Sequence, residues 1–157
     1  MPHKDQVNGV LSSTRPFYYG GVPIDQFSLK FENGRIVNVT AKTGETTLKQ
    51  LIATDEGATR LGEVALVPHS SPISQSNILF YNTLFDENAA SHLAIGKAYR
   101  FCMTDGEQMD KDQFAAAGGN DSLVHEDFMI GSDEMDIDGV TATGDIEPIM
   151  RAGEWAF

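Results

Sequence analysis

The sequence predicts an α+β domain, mainly antiparallel or mixed β-sheet with two or three helices. Three observations carry that expectation. Apolar alternation runs up to Asn33-Gly34 and resumes after it, helix-period spacing appears in few stretches, and the later part of the chain holds several short strand-like runs divided by turn residues. Strands in runs, with the helices set apart from them, mark the α+β class.

In chain order, VNGVLSSTRPFYYGGVPIDQ is punctuated by Pro16, Gly20, Gly21 and Pro23, which predicts short extended pieces joined by turns. In FSLKFENGRIVNVTAK, Phe27, Leu29 and Phe31 alternate with polar residues, Asn33-Gly34 supplies the turn, and Ile36, Val37 and Val39 return as the second arm of a hairpin. Thr46 to Arg60 places Leu48, Leu51 and Ile52 at helical spacing, with Gly57 as a stop or break. Glu63 to Val67, closed by Pro68, reads as a short buried strand. From Asp86 to Arg100 a helix is predicted, with Asp86 as N-cap and Glu87 in the first turn, where the helix dipole favours a carboxylate. Met103 to Ser122 is polar and Gly-rich and reads as a surface excursion. SLVHEDFMIG and EMDIDGVTATG are strand-like, the second around an Asp138-Gly139 turn, and IEPIMRAGEWAF ends the chain as a short strand with an aromatic close.

The 157 residues fit a single domain spanning 1–157. A chain of that size can bury about two thirds of its unfolded surface. A net charge of -12 with only 11 scattered basic residues argues against a nucleic-acid surface, which needs clustered cations to release counterions from phosphate. No run approaches the ~18 apolar residues of a membrane span, and MPHKDQVNG lacks the apolar centre of a signal peptide. A cytoplasmic setting is the simplest expectation. Cys102 is the only cysteine, so no internal disulfide can form, and nothing around FCMTDG resembles an activated thiol.

Several side chains could carry chemistry. On a strand, residues two apart share a face, so His125 and Asp127 present an imidazole and a carboxylate side by side, able to grip one metal ion. Taken alone, such a pair is more often a structural hydrogen-bonded pair. On the expected helix, His92 and Tyr99 are seven apart and return almost to one azimuth. An imidazole there suits zinc, and a phenol could stabilise an oxyanion, although a buried His and Tyr completing the core is the commoner case. Glu63 opens an apolar strand; a carboxylate there is either a solvated strand end or a bridge between two divalent ions. The acidic run SDEMDIDG fails as a calcium loop, because Glu134 stands where the first Asp belongs and Asp145 where the bidentate Glu belongs. A solvated hairpin is the better reading of it. His3 and His69 have no partner that sequence identifies.

At LGEVALVPHSSPIS, LFDENAASHLAIGKAYR and SLVHEDFMIGS the candidates fall into one order: Glu, then His with Tyr seven later, then His-x-Asp. With PHKDQVNGVLSSTRP, FENGRIV and the closing GEWAF, this resembles the metal-dependent aminopeptidases of the aminopeptidase T and aminopeptidase S (PepS) family over nearly the whole chain. The resemblance implies two divalent metal ions (zinc, cobalt or manganese), held by Glu63, His92, His125 and Asp127 with Glu63 bridging, and Tyr99 as an active-site tyrosine. It implies peptide substrates shortened from the N-terminus, and a homodimer. It also implies that the chain corresponds to the C-terminal, metal-binding portion of a longer enzyme that has an α/β region ahead of it. That region ends in a PTEE-like motif whose glutamates add a ligand and a base, so an incomplete metal site and low activity are expected of the chain. The alternatives are a non-catalytic metal- or peptide-binding module, and a structural domain whose His and acid residues are satisfied internally.

Overall fold

The computed structural model describes residues 1–157 apart from the side chain of Thr83. The chain folds into ten β-strands and four short α-helices, and all strand pairing is antiparallel. β1 (Gly9–Ser12), β2 (Phe17–Tyr19), β3 (Val22–Glu32) and β4 (Arg35–Thr43) form the first sheet, in which the long β3 pairs with the other three. Asn33 and Gly34 both adopt positive φ (50° and 80°), as a two-residue hairpin turn matching the strand twist requires. A side chain at Gly34 would also collide with the Lys4 carbonyl, 1.7 Å away. Within β3, Ile24, Phe27, Leu29 and Phe31 are buried; the three-residue step after Ile24 occurs where Gln26 takes φ 49° and shifts the phase of the strand.

α1 (Glu45–Ile52) lays Leu48, Leu51 and Ile52 against this sheet. It stops well short of Arg60, because Asp55 turns back to accept from Ala58 N and starts a 3₁₀ turn at Gly57–Thr59. β5 (Leu61–Ala65) begins two residues ahead of the expected strand. α2 (Pro72–Ser76) and α3 (Thr83–Asp86) lead through a 3₁₀ turn at Glu87–Ala89 into β6 (His92–Gly96). α4 (Lys111–Ala116) follows two further 3₁₀ turns, and β7 (His125–Met129), β8 (Ile137–Val140), β9 (Ile146–Arg151) and β10 (Glu154–Trp155) complete the chain.

The largest departure from expectation is residues 86–100, where a buried strand replaces the helix. His92, Leu93, Ala94, Ile95 and Gly96 are all buried because β6 is the middle strand of the second sheet, ordered β5–β6–β7. A strand covered on both faces shows no period-two alternation, so its apolar run mimics a helix segment. Asp86 caps no such helix; its carboxylate accepts from Phe80 N (2.9 Å) and Asn82 N (3.0 Å). Two smaller departures follow. Asp138-Gly139 lies within β8 rather than at its turn, which falls at Thr141–Asp145, and the polar 103–122 segment contains α4, started by an Asp110–Gln113 capping box.

The first and second sheets meet in one core, while β10–β9–β8 form a third. Phe128 of β7 sets its ring edge-on to Phe27 of β3, with centroids 5.2 Å apart, and Leu93 and Ile95 join the same cluster. Alternation along β6 and β7 therefore sends Leu93, Ile95 and Phe128 inward and turns His92, Ala94, His125 and Asp127 to the far face.

Candidate metal centre

Strand register assembles that far face. Glu63 on β5 stands opposite Ala94 on β6, and Ala94 stands opposite Asp127 on β7. The small Ala94 thus leaves room between two carboxylates. His92 lies two residues from Ala94 along β6, and His125 two residues from Asp127 along β7.

Every sequence-predicted ligand converges here. His92 Nε2 is 3.6 Å from Glu63 Oε1, and His125 Nε2 is 3.4 Å from Glu63 Oε2 and 3.6 Å from Asp127 Oδ1. The two oxygens of Glu63 are thereby divided between two histidines. Both imidazoles are pinned from behind: His92 Nδ1 meets the Ala90 carbonyl at 3.0 Å, and His125 Nδ1 meets the Lys97 carbonyl at 2.7 Å. A carbonyl only accepts, so each Nδ1 carries a proton and each Nε2 faces the cluster, which is how metal-binding histidines are oriented.

The donor set fits a metal. Asp127 is 8% exposed, and its buried Oδ1 has no hydrogen-bond partner. Buried carboxylate oxygens are rarely left so. Two ligands bonded at about 2.1 Å to one tetrahedral ion stand about 3.4 Å apart, the spacing seen between the Nε2 and carboxylate oxygens here. Two ligand groups are formed, Glu63–His125–Asp127 and Glu87–His92–Asp127.

Glu87 was not anticipated. Its position in the 3₁₀ turn just before β6 gives it no periodic relation to His92, and its reading as a helix first-turn acid rested on the helix that does not form. Burial, then the nearby Asp127 and Glu63 carboxylates, push its pKa up, with His92 opposing. For His125, burial works to lower the pKa, but the contacts with Asp127 and the Lys97 carbonyl and the charge of Glu63 outweigh it and raise the value to about 8. Glu126 is raised by burial and by Asp127.

Tyr99 reaches the cluster by a route other than the expected helix face. Gly96 ends β6 at φ 99°, where any side chain would strike the Val124 carbonyl, and the chain turns so that the Tyr99 ring lies 4.6 Å from the His125 ring and stacks on Phe101 at 5.2 Å. Burial, and after it Asp127, Glu63 and Glu87, raise the phenol pKa, which keeps it protonated and able to donate. With Leu84 and Glu126, these residues line a cleft of about 790 Å³ open to solvent. Cys102, an exposed thiol, lines an adjoining cavity beside Glu63 and Tyr99.

The sequence profile of the Peptidase_M29 family, described as thermophilic metalloprotease (M29), matches residues 1–155. Aminopeptidase AmpS of Bacillus subtilis (strain 168) is 61% identical over 157 residues, and aminopeptidase 2 of Geobacillus stearothermophilus 58% over 157. All of this chain is covered in both cases, and 38% of each relative. The solved structure of wild-type AmpT from Thermus thermophilus superposes with a TM-score of 0.92 at 49% identity, covering 99% of this chain and 38% of that one. The chain thus spans well under half the length of the relatives it matches.

Proposed function

The chain belongs to the thermophilic metalloprotease family M29, and from that premise we propose that its carboxylate–imidazole cluster is the metal centre of an aminopeptidase that removes the N-terminal residue of peptides. The observation that carries the reading is the buried, unpartnered Oδ1 of Asp127, a residue common to two three-residue ligand groups. Glu63, His125 and Asp127 would hold one ion, and Glu87, His92 and Asp127 a second, with Glu63 reaching both through its two oxygens. Mixed carboxylate and imidazole donors suit zinc, cobalt or manganese. Such ions, when bound, supply Lewis-acid polarisation of the scissile carbonyl and bring the pKa of a water toward neutrality.

The remaining tasks fall to the chain's own groups. The Ala90 and Lys97 carbonyls hold the two imidazoles in the ligating tautomer. Tyr99, kept protonated, would donate to the oxyanion that develops as water adds to the carbonyl, a charge that exists only along the reaction path. The Tyr99 ring, stacked on Phe101, packs against His125 and forms part of the cleft wall. A homodimer acting on peptides in the cytoplasm is the setting proposed; among the described residues, no helix is long and apolar enough to cross a membrane.

Calorimetric titration of the purified chain with zinc tests this reading. Uptake that falls in Glu63→Ala and His125→Ala, with at most weak chelator-sensitive release of alanine from tetra-alanine, is the expected result. No uptake of zinc, cobalt or manganese would return the cluster to a structural role. Metal uptake with peptide binding but no release, even when the chain is joined to the α/β region of a relative, would favour the non-catalytic binding module.

A further inference from the structure

Three cavities follow one another along the site face of β7. The metal cleft is bounded by His125 and Asp127. The next, about 410 Å³, shares Asp127 and adds Met129, Pro16, Phe17 and Tyr18. The third, about 510 Å³, is bounded by Gly131 with Thr14, Arg15, His69 and Asp133. Residues 125, 127 and 129 share one side of β7, and beyond its end Ile130 N and Gly131 N both donate to the Ser91 carbonyl at 2.9 Å, a bulge that leads on to the third cavity. The residue 14–18 segment runs beside them, tied by Thr14 N to the Met129 carbonyl and by Thr14 Oγ1 to the Gly131 carbonyl, each at 2.9 Å. The first two cavities share Asp127, and the residue 14–18 segment borders the second and then the third, so the three make a segmented trough from the metal cluster to Arg15.

Arg15 is the anomaly at its end. The chain has five arginines against a net charge of -12. Arg35 pairs with Glu56, Arg60 with Asp5 and Arg151 with Asp138, while Arg100 donates to the Gly106 and Met109 carbonyls and lies over the Phe114 ring. Arg15 is half-buried and, among the described residues, makes no hydrogen bond and no ion pair, not even with Asp133 on the same cavity wall. A guanidinium partly withdrawn from water is costly until acceptors meet its fork of donors, and a carboxylate matches that fork in bidentate geometry.

We propose that Arg15 binds the C-terminal carboxylate of a short peptide lying along β7 with its amino end at the metal cluster. The inference rests on the aminopeptidase reading above and adds a length and end-group preference to it. From residue 127 to residue 131 the segment spans at most about 13 Å. An extended peptide advances about 3.3–3.6 Å per residue, so roughly four residues fill the trough. Phe17, Tyr18 and Met129 offer the residues between an apolar wall.

The test uses alanine peptides of increasing length, each beginning with D-alanine to resist turnover, as free acids and as C-terminal amides. They are titrated into the zinc-loaded chain at low salt, with binding read by calorimetry. At about four residues the acid should bind on the order of tenfold more tightly than the amide, and at the dipeptide the two should be alike. Arg15→Ala should erase the difference while zinc uptake persists, and Arg15→Lys should keep part of it. Acid and amide binding alike at every length in a chain that still takes up zinc overturns the Arg15 assignment and leaves the metal reading standing. So does an acid preference that survives Arg15→Ala. Absence of zinc uptake overturns the metal reading, and this inference with it.

Discussion

Asp55 and Asp127 are both acids set against the backbone around β6 and β7, and the fold treats them in opposite ways. Asp55 Oδ1 accepts from Ala58 N and Ser122 Oγ, each at 2.8 Å, and Oδ2 accepts from Leu123 N at 2.6 Å. Burial works to raise its pKa, but those donors outweigh it and hold the carboxyl below its ordinary value. Asp127 is more deeply buried, yet its Oδ1 has no hydrogen-bond partner, the nearest imidazole nitrogen, His125 Nε2, standing 3.6 Å away. An acid that serves the fold is saturated by the fold's own N–H and O–H groups. One that serves an ion keeps lone pairs in reserve, a condition that folding alone does not favour.

The contrast can be broken first from the core side. Phe128→Ala removes the ring that joins the two sheets on the face behind Asp127, and should cost about 3–5 kcal/mol in denaturant unfolding. Loss of metal uptake with it would show that the site's geometry depends on that packing. A smaller effect is expected from Asp55→Ala, about 1–2 kcal/mol, because three donors lose their acceptor at a partly solvated position. The pH dependence has a definite sign. A carboxylate whose folded pKa lies below its unfolded one stabilises above the unfolded value, and that contribution is lost as pH falls through the folded value. The gap between wild type and Asp55→Ala should therefore be full at neutral pH and shrink below about pH 4.

The smallest stability change is expected at Asp127. Asp127→Asn removes a charge that repels Glu63 and Glu87 but attracts His125, opposing effects that should leave unfolding of the metal-free chain shifted by less than about 1 kcal/mol in either direction, while zinc affinity drops at least about tenfold. Equal destabilisation by Asp127→Asn and Asp55→Ala would erase the distinction between the two acids.

The β3–β4 hairpin is legible in the letters because its alternation meets a turn, Asn33-Gly34, whose backbone demand only a few residue types satisfy. His125 and Asp127 are legible for a related reason: two residues apart on a strand, they share a face whatever the strand packs against. Residues 86–100 are not, since β6 is buried on both faces and its letters carry no asymmetry to report. α4 had a local signal, the Asp110–Gln113 capping box, but only Phe114 of that helix is buried, too little to stand out in a polar segment. Tyr99 was expected on the face of a helix that does not exist; the turn at Gly96 brings its ring beside His125 instead.

By itself, then, the sequence determined the α+β class, the hairpin, the shared face of His125 and Asp127, and, through family resemblance, the companionship of Glu63, His92 and Tyr99. Only the tertiary structure decided that Glu63 and Asp127 face each other across Ala94, that Glu87 joins them, and that a trough runs from them to Arg15. Local spacing reports the surroundings of one segment, whereas a site built across three strands is set by pairing register. Register depends on which faces are buried against which, and that is a property of the assembled sheets.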